Sequence, residues 1–451
     1  MADPHPTILW FRRDLRLGDH PALVAAADQG PVTALFVLDD VLLRSDAGPR
    51  TAYLFRTLRA LDADLRKHGG QLTVRHGRPE KVLPALVRQI GANAVHVSAD
   101  YAPYGAARDV RVSKLLGDTP LVRTGSPYAV APGRVLKDDG EPYKVFTPFH
   151  RAWLEHGWPK PADSRPAKID WHVVDGDPIP DDPKIVADLP DAGEAAARTA
   201  WNRFRENHLR SYDQDRDRPD LDHTSRMSPH LKLGTIHPRT MLADLGRSAA
   251  PYVRQLAWRE FYAAVLHHWP DSAHGYFKPE MAKMAYDTGP EADRSFEAWA
   301  GGQTGFPIVD AGMRQLLATG WMHNRLRLIV ASFLVKDLHL EWTRGARYFM
   351  DHLIDGDLAN NQHGWQWTAG TGTDAAPYFR VFNPLTQGKK FDPEGDYVRR
   401  WVPELRGLPG EAAHEPWRTD LVPASYPSPI VDHAQERVEA LARNAAVTGR
   451  G

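Results

Sequence analysis

The sequence contains no cysteine among its 451 residues. Disulfide bonds, thiolate metal sites and a cysteine nucleophile are therefore excluded. Long apolar runs are also missing, since none approaches the ~20 residues that a membrane-spanning helix needs. The N-terminus has one short apolar run before arginine and aspartate, which is typical of a strand and not of a signal peptide. We expect a cytoplasmic protein.

An excess of charge of either sign is missing as well. The 56 lysines and arginines balance 57 acidic residues and leave a net charge of -1. The composition thus indicates no global attraction to nucleic acid, although a local basic face would suffice, because only the contacting surface releases counterions. Apolar residues make up 42%, enough for large cores, and the length predicts two or three domains.

Short apolar runs alternate with helical patterns in residues 1–125. Strands are predicted at TILWF, VTALFVL, LTVRHG, AVHVSA and PLVRTG. This alternation predicts a Rossmann-like α/β domain whose five-stranded parallel sheet is covered by helices on both faces. The dinucleotide fingerprint G-x-G-x-x-G is missing after the first strand, where WFRRDLRLGD stands instead. The sequence therefore predicts the architecture without locating a nucleotide site.

The pattern changes after this domain. Residues 126–190 are rich in proline, glycine and aspartate, which predicts a long surface connector. Residues 191–451 show helical periodicity and no convincing strand, so we expect an all-α domain there. Within it, two buried helices are predicted to be separated at Gly320, and NNQHGWQW (360–367) is expected to be a polar interruption.

A cluster of hydroxyl groups precedes one of the predicted helices. Thr224, Ser225 and Ser228 flank Arg226 in TSRMSPHLKLG. Hydroxyls and free backbone N–H groups at a helix start form a good phosphate cradle, but the same residues also suit an ordinary N-cap. Both interpretations stay open at this point.

The segment LIDGDLANN places two carboxylates and an amide close together. Asp355 and Asp357 bracket a glycine, and Asn361 follows within about one turn. Buried carboxylates need partners, and Arg325 and Arg327 are candidates. The alternative is a plain Asp–Gly turn, and the spacing of histidines and carboxylates matches no metal cage.

Tryptophan occurs in two kinds of surroundings. Trp258, Trp321 and Trp342 lie among apolar residues with helical spacing, which is typical of a core, whereas Trp365 and Trp367 have small polar neighbours. Flat aromatic faces beside small residues suit stacking on a flat ligand or on a base.

Long motifs along the whole chain resemble those of the photolyase–cryptochrome family, in the same order. They are WFRRDLRLGD, TSRMSPHLKLG, WREF, TGFPIVDAGMRQL, GWMHNRLR, SFLVKDLHLEW, DGDLANNQHGWQW and TGTDAAPYFRVFNP. Within the family, the chain looks like a class I cyclobutane pyrimidine dimer photolyase of bacterial type. The resemblance implies an antenna-binding α/β domain, a helical domain that binds FAD and damaged DNA, and a monomer.

The resemblance also implies the reaction. In such photolyases, reduced FAD absorbs blue light and donates an electron to a dimer that has flipped out of the DNA; the ring splits and the electron returns. A (6-4) photolyase and a cryptochrome-like light sensor are the alternatives. The residues that follow RVFNP look like folded family sequence, so we expect no signalling tail.

Site residues carried over from the family motifs form three groups. Phosphate and ribose contacts are implied for Tyr212, Thr224, Ser225, Arg226, Met227 and Ser228. Contacts around the flavin are implied for Arg259, Arg327, Asp355, Gly356, Asp357 and Asn361. Contacts with the dimer or the DNA backbone are implied for Trp258, Trp367, Gln255, Asn324, Leu328, Arg216, Arg325, Arg380 and Gln387. Two finer expectations are an ion pair between Arg327 and Asp355 and an Asn361 amide that donates to flavin N5.

The family's electron-transfer chain is incomplete in this sequence. The resemblance implies that Trp365 faces the flavin as the first member and that Trp342 follows it. The expected third tryptophan is missing, since its position falls near Gly289. Tyr286 and Trp299 are the candidate replacements.

Two positions bear on the lesion. Gln255 stands where many dimer photolyases carry glutamate; an amide still hydrogen-bonds the bases but cannot share a proton with the dimer, so we expect lower efficiency. Asn324 and Leu328 stand where (6-4) photolyases carry histidines, which favours cyclobutane dimers. Glutamine at the position of Gln255 also occurs in (6-4) photolyases, and this observation favours the (6-4) lesion instead.

The antenna chromophore is indicated by one position. Gly105 in DYAPYGAARD stands where folate-binding relatives usually carry glutamate. We therefore expect 8-hydroxy-5-deazaflavin in preference to methenyltetrahydrofolate, and the absence of an antenna is the remaining alternative.

Overall fold

The computed structural model describes residues 5–43, 48–373, 379–419 and 425–449. The chain forms two compact units. Unit 1 comprises Met1–Ile185, Pro190–Arg210 and Ser225–Pro270. Unit 2 comprises Val186–Leu189, Ser211–Thr224 and Asp271–Gly451.

The described residues contain five strands and nineteen α-helices. The strands are β1 Thr7–Phe11, β2 Val32–Leu38, β3 Leu72–His76, β4 Ala94–Val97 and β5 Leu121–Arg123. The helices are α1 Pro21–Ala27, α2 Asp40–Leu43, α3 Gly48–Arg66, α4 Pro79–Ile90, α5 Pro103–Leu115, α6 Phe146–His156, α7 Glu194–Asn207, α8 Tyr212–Asp215, α9 Ser228–Leu233, α10 Pro238–Ala243, α11 Ala250–His268, α12 Pro290–Ala300, α13 Pro307–Thr319, α14 Asn324–Lys336, α15 Trp342–His352, α16 Leu358–Ala369, α17 Pro384–Phe391, α18 Asp396–Trp401 and α19 His433–Thr448.

All five strands form one parallel sheet in unit 1, in the order β3-β2-β1-β4-β5. Alternate residues of the central strand β1 face opposite sides. Ile8 and Trp10 pack with Leu83 of α4 and Val112 of α5, while Leu9 is fully buried on the other side. The predicted five-stranded α/β fold is confirmed. The strand order reverses between β1 and β4, and their carboxyl ends therefore border a crevice.

Helix α6 lies inside the segment that the sequence indicated as a connector. Phe146, Phe149 and Trp153 are buried and follow the i, i+3, i+7 spacing of one helix face. The flanking residues are rich in proline and glycine, so the sequence pattern does not predict this helix.

A buried carboxylate fixes the chain that leads into α6. Glu260 of α11 is 2% exposed and accepts hydrogen bonds from the backbone N–H groups of Ala129 and Val130. It also accepts one from the Trp153 indole, with Nε1 2.7 Å from Oε2. Burial raises the pKa of Glu260, and the three donors act against that shift. The carboxylate therefore joins α11, α6 and the preceding loop of unit 1.

Helices α13 to α16 form the core of unit 2. Helix α13 ends at Gly320, whose φ of 64° is left-handed and suits glycine. Helix α14 begins after His323, whose Nδ1 accepts from the Arg325 N–H. The prediction of two helices separated at Gly320 is confirmed. The described part of unit 2 contains no strand, in agreement with the predicted all-α domain.

The expectation of a polar interruption at 360–367 is wrong, because these residues lie within helix α16. Asp357 caps the helix by accepting a hydrogen bond from the Asn360 N–H at 3.1 Å. The helix has a polar buried face, which an analysis of apolar periodicity does not recognise.

The buried amides of α16 bind the backbone of residues 272–277. Gln362 Nε2 donates to the Ala273 carbonyl at 2.6 Å. Gln366 Nε2 donates to the carbonyls of Ser272 and Gly275, and its Oε1 accepts from the Phe277 N–H at 2.7 Å. These polar side chains thus replace apolar contacts and hold the loop before α12 in place.

We expect Glu260→Ala to lower the melting temperature by about 6 °C or more. The substitution leaves three buried donors without an acceptor, which lowers the free energy of unfolding by roughly 3 kcal/mol. In a unit of this size, such a loss lowers the melting temperature by at least about 2 °C per kcal/mol. Differential scanning fluorimetry measures the shift. Glu155→Ala is the matched control, since Glu155 lies exposed on α6. Equal melting temperatures for the two variants would contradict the assigned role of Glu260.

Candidate functional site

An ion pair between α14 and the start of α16 forms the centre of the candidate site in unit 2. Arg327 Nη2 lies 2.7 Å from Asp355 Oδ2, which confirms the predicted pair. Arg327 Nε also donates to the Met322 carbonyl at 2.9 Å. The second carboxylate oxygen of Asp355, Oδ1, is buried and has no hydrogen-bond partner among the described residues. Since an unpaired buried carboxylate oxygen is costly, the site fits a ligand that brings a donor.

Asn361 lies on α16 one turn after the capping residue Asp357. Its Nδ2 donates to the Ala346 carbonyl at 3.0 Å and to Gln362 Oε1 at 2.9 Å. Both amide hydrogens are therefore used within the protein. The expected hydrogen bond from the Asn361 amide to flavin N5 stays a prediction, and the side-chain oxygen is a second group able to contact a ligand.

Two more of the predicted ligand contacts belong to unit 2. The Thr224 hydroxyl is buried and has no partner among the described residues. Burial raises the pKa of Tyr212 to about 12. The Arg216 guanidinium lies 6.0 Å from the Tyr212 ring centroid, at the outer limit of a cation–π contact.

The neighbouring hydroxyl residues belong to unit 1. The Tyr252 hydroxyl donates to Ser225 Oγ at 2.8 Å, and Arg226 has a left-handed φ of 49°. Met227 occupies the N-cap position of α9, and Ser228 is the first helical residue; no side chain caps this helix. Ser225 Oγ, two residues before the N-cap, accepts a hydrogen bond from the Met227 N–H at 3.4 Å, and the phosphate cradle stays a prediction.

An aromatic stack presents Trp258 on α11 of unit 1. Its ring lies flat on Phe146, with centroids 3.7 Å apart and an interplanar angle of 6°. Gln255 stands one turn earlier on the same helix and makes a 3.4 Å hydrogen bond from Nε2 to the Pro251 carbonyl. Arg259 donates to the carbonyls of Pro127 and Leu231. Phe146 thus covers one face of Trp258 and fixes its orientation.

The two tryptophans of α16 face in different directions, since residues two apart are separated by about 200° around a helix. Trp367 is partly exposed, and the Arg380 guanidinium lies 5.2 Å from its ring centroid. Trp365 is 3% exposed and lies against Gly345 of α15, where a Cβ atom would come within 2.1 Å of the ring. Trp342, one turn before Gly345, is fully buried.

The residues expected to contact the lesion and the DNA lie on α14 and near it. Asn324 is exposed at the first position of α14, and Leu328 follows one turn later. Arg325 pairs with Asp217 at 2.8 Å, and Gln387 lies on α17. Residues 374–378 of the motif TGTDAAPYFRVFNP lie outside the described residues.

The crevice at the carboxyl ends of β1 and β4 is lined by charged side chains of unit 1, among them Arg12, Arg13, Asp14 and Asp100. It measures about 210 Å³ including its open mouth, which is below the ~300 Å³ of typical ligand pockets. A Cβ atom on Gly105 would lie 2.0 Å from Asp100 Oδ2, so no larger side chain fits there unless Asp100 moves.

Comparison with known proteins now identifies the family. The model described as the FAD binding domain of DNA photolyase matches residues 252–446, and the DNA photolyase model matches residues 7–167. A deoxyribodipyrimidine photo-lyase of Halobacterium salinarum is 41% identical and aligns over 96% of this chain and 98% of its own. The chain belongs to the DNA photolyase family.

Solved structures of this family resemble the chain over its whole length. A bacterial class III photolyase from Agrobacterium tumefaciens has a TM-score of 0.92 and 36% identity, over 100% of this chain and 99% of its own. A Synechocystis cryptochrome has a TM-score of 0.89 and 27% identity, over 98% and 99% of the two chains.

These findings confirm the predicted family, its fold class and an enzyme of the photo-lyase type. The coarse function of the chain is accordingly light-driven DNA repair with a FAD-binding domain. The class I subtype and the individual site residues stay predictions. The described residues include no helix long and apolar enough to cross a membrane.

We expect Asp355→Asn to weaken FAD binding about 10- to 100-fold. A charge-assisted hydrogen bond contributes about 1.5–3 kcal/mol, and the neutral amide also loses the pair with Arg327. Flavin fluorescence titration of apoprotein measures the dissociation constant. Asp396→Asn is the control, since that carboxylate is exposed and pairs only locally with Arg399. Unchanged affinity in Asp355→Asn would contradict the assignment.

Proposed function

We propose that this photolyase repairs cyclobutane pyrimidine dimers in DNA by light-driven electron transfer. The observation that carries the choice of lesion is the chemistry of the exposed face at the start of α14. Asn324 and Leu328 stand one turn apart there and offer an amide and an apolar surface. Neither group is an acid, so this face suits a dimer that needs hydrogen bonds and contact instead of proton transfer.

The nearest histidine does not change this conclusion. His323 is 2% exposed, and its Nδ1 accepts from the Arg325 N–H as the N-cap of α14. The ring is therefore buried as part of the helix start. The (6-4) photolyases of the family carry histidines at this place, and this chain has Asn324 and Leu328 there instead. The chain therefore suits a (6-4) lesion less well.

Residues expected to contact FAD occur in each of the two units. Unit 2 contains polar groups that can accept hydrogen bonds from a cofactor or donate them to it. They are Asp355 Oδ1 and the buried Thr224 hydroxyl, which have no partner among the described residues, and the side-chain oxygen of Asn361. In unit 1 the loop at Ser225 and Arg226 offers hydroxyl and backbone groups ahead of α9. Reduced FAD, when bound, supplies the electron that splits the dimer. The chain's residues bind and orient it.

Each unit presents an aromatic side chain that suits stacking on a base. Trp258 offers one flat face, because Phe146 covers the other. Trp367 offers a partly exposed ring beside the Arg380 guanidinium, which suits a phosphate nearby. Stacking is worth about 1–3 kcal/mol per base, which offsets the few kcal/mol that flipping costs. We place DNA-backbone contacts at Arg216, Arg325, Arg380 and Gln387.

The presence of a second, antenna chromophore is a prediction that rests on the family resemblance. Gly105 lacks the space for the glutamate of folate-binding relatives, because the Asp100 carboxylate occupies it. This supports 8-hydroxy-5-deazaflavin over methenyltetrahydrofolate. The crevice at β1 and β4, at about 210 Å³, is smaller than typical ligand pockets, so binding of a three-ring chromophore requires side chains such as Arg13 and Asp100 to move.

Repair is tested directly with a dimer-containing oligothymidine. We expect the anaerobically reduced enzyme to restore thymine absorbance near 260 nm under blue light and not in the dark. A parallel substrate with a (6-4) photoproduct is the specificity control and should remain unrepaired. Repair of the (6-4) substrate alone would overturn the proposed lesion, and repair of neither by a flavin-loaded enzyme would favour the sensor alternative.

We expect Gln255→Glu to raise the quantum yield of repair. A carboxyl group can share a proton with the dimer after electron transfer, whereas the amide only hydrogen-bonds it. Single-wavelength actinometry with the reduced enzyme measures the yield. Gln303→Glu is the control, since Gln303 is exposed and is not among the residues expected to contact the lesion. A yield that stays the same or falls would count against a proton-sharing role at position 255.

A further inference from the structure

Two tyrosines continue outward from the buried tryptophan Trp342. The Tyr276 ring packs edge-on against Trp342, with centroids 6.0 Å apart and an interplanar angle of 89°. The phenols of Tyr276 and Tyr286 lie close enough for each to shift the pKa of the other. Trp342 is fully buried, whereas both tyrosines are partly exposed. The three rings therefore lead from the core of unit 2 towards its surface.

A carboxylate stands at the first tyrosine. The Tyr276 hydroxyl donates to Glu341 Oε1 at 2.8 Å, and Glu341 directly precedes Trp342 at the start of α15. A phenol loses an electron easily only when its proton leaves as well, and a carboxylate at hydrogen-bond distance can take that proton. Burial and the hydroxyl of Tyr286 raise the pKa of Tyr276 well above its ordinary value, so the phenol keeps its proton until it is oxidised.

The position of Tyr276 is fixed by the helix that carries Trp365. Gln366 binds the Gly275 carbonyl and the Phe277 N–H, on either side of Tyr276. The edge contact with Trp342 is thus held by backbone hydrogen bonds and does not depend on a freely moving side chain.

The indole of Trp342 has different proton chemistry. Its Nε1 is buried and has no hydrogen-bond partner among the described residues. An oxidised Trp342 therefore has no described acceptor for its proton and stays a strongly oxidising cation. Such a cation can take an electron from the Tyr276 phenol, because the Glu341 carboxylate can accept the phenol's proton.

The other candidate, Trp299, leads to a tyrosine that has no carboxylate as a proton acceptor among the described residues. Its ring lies 6.1 Å from that of Trp365, but it is fully buried and donates its N–H to the Val330 carbonyl. The next ring outward, Tyr348, donates its hydroxyl to the Ala300 carbonyl, which is a much weaker base than a carboxylate.

We propose that Tyr276 and Tyr286 form the outer end of the electron-transfer chain and that Glu341 is the proton acceptor. The proposal rests on the proposed light-driven function, in which light moves an electron from the tryptophans to bound FAD and leaves Trp342 as a radical cation. Tyr276 gives one electron to Trp342 and its hydroxyl proton to Glu341, which yields neutral Trp342, a tyrosyl radical and a protonated carboxyl group.

The second step moves the radical to the surface. Tyr286 gives one electron to the Tyr276 radical and releases its own hydroxyl proton to solvent, while Glu341 returns its proton to Tyr276, so that Tyr276 is restored and Tyr286 holds the radical. Tyr286 lines an open cleft together with Met284, His339 and Arg443. A soluble thiol that enters this cleft can return one electron and one proton to Tyr286, and the chain is then ready for another turnover.

Electron paramagnetic resonance tests the relay without DNA. Wild-type protein with oxidised FAD is illuminated with blue light and frozen, and we expect a tyrosyl radical that is lost in Tyr276→Phe. Tyr348→Phe is the matched control, because that tyrosine is also partly buried beside the tryptophan cluster, and it should keep the signal. No tyrosyl radical in the wild type, or one that persists in Tyr276→Phe, would overturn the proposal.

Glu341→Gln provides a second test that keeps both rings in place. In transient absorption, we expect a deuterium solvent isotope effect on the decay of the Trp342 radical in the wild type, and slower decay without that isotope effect in Glu341→Gln. An unchanged decay and isotope effect would refute Glu341 as the acceptor, even if Tyr276→Phe fails to bind FAD. Repair by the dithionite-reduced wild type tests the proposed function separately, since it needs no photoreduction.

Discussion

A buried amide or carboxylate must find hydrogen-bond partners, and helix α16 meets this requirement with groups from distant parts of unit 2. Its amides at Gln362 and Gln366 bind the backbone of residues 272–277. The same helix carries Asn361, Trp365 and Trp367 and begins three residues after Asp355. The placement of the ion pair, of the inner tryptophan and of Tyr276 thus depends on one helix whose buried face is polar. An apolar face would pack as well but would not set these groups in a fixed register.

The strands and the main helices could be predicted because their signals are local. Apolar runs separated by helical patterns give β1 to β5, and a left-handed glycine at Gly320 separates α13 from α14. Helix α16 could not be predicted in this way, because its polar residues are satisfied by groups some 90 positions earlier in the chain. Local periodicity carries no information about such partners. Helix α6 was missed because its three buried aromatics lie between stretches rich in proline and glycine.

Some features of the candidate site could be predicted from the sequence, and others could not. The pair between Arg327 and Asp355 followed from family resemblance, and the geometry of the pair agrees. The sequence cannot show that the Asn361 amide donates to Ala346 and Gln362, because these contacts form only in the folded unit. Phe146 was not recognised either, since its stacking partner Trp258 lies more than a hundred residues away. Tyr276 and Glu341 likewise carry no local signal, and only the folded unit brings the phenol to the carboxylate.

The unpaired oxygen of Asp355 has a thermodynamic consequence for the protein as it is made. A group that is buried without a partner destabilises the ligand-free fold, and a ligand that satisfies it binds the native state and not the unfolded chain. Folding and cofactor uptake are then linked, so the apparent stability of the enzyme rises with the concentration of free flavin. Cells short of flavin would accumulate a chain that unfolds more often and is degraded sooner, and the amount of repair enzyme would follow the supply of its own cofactor.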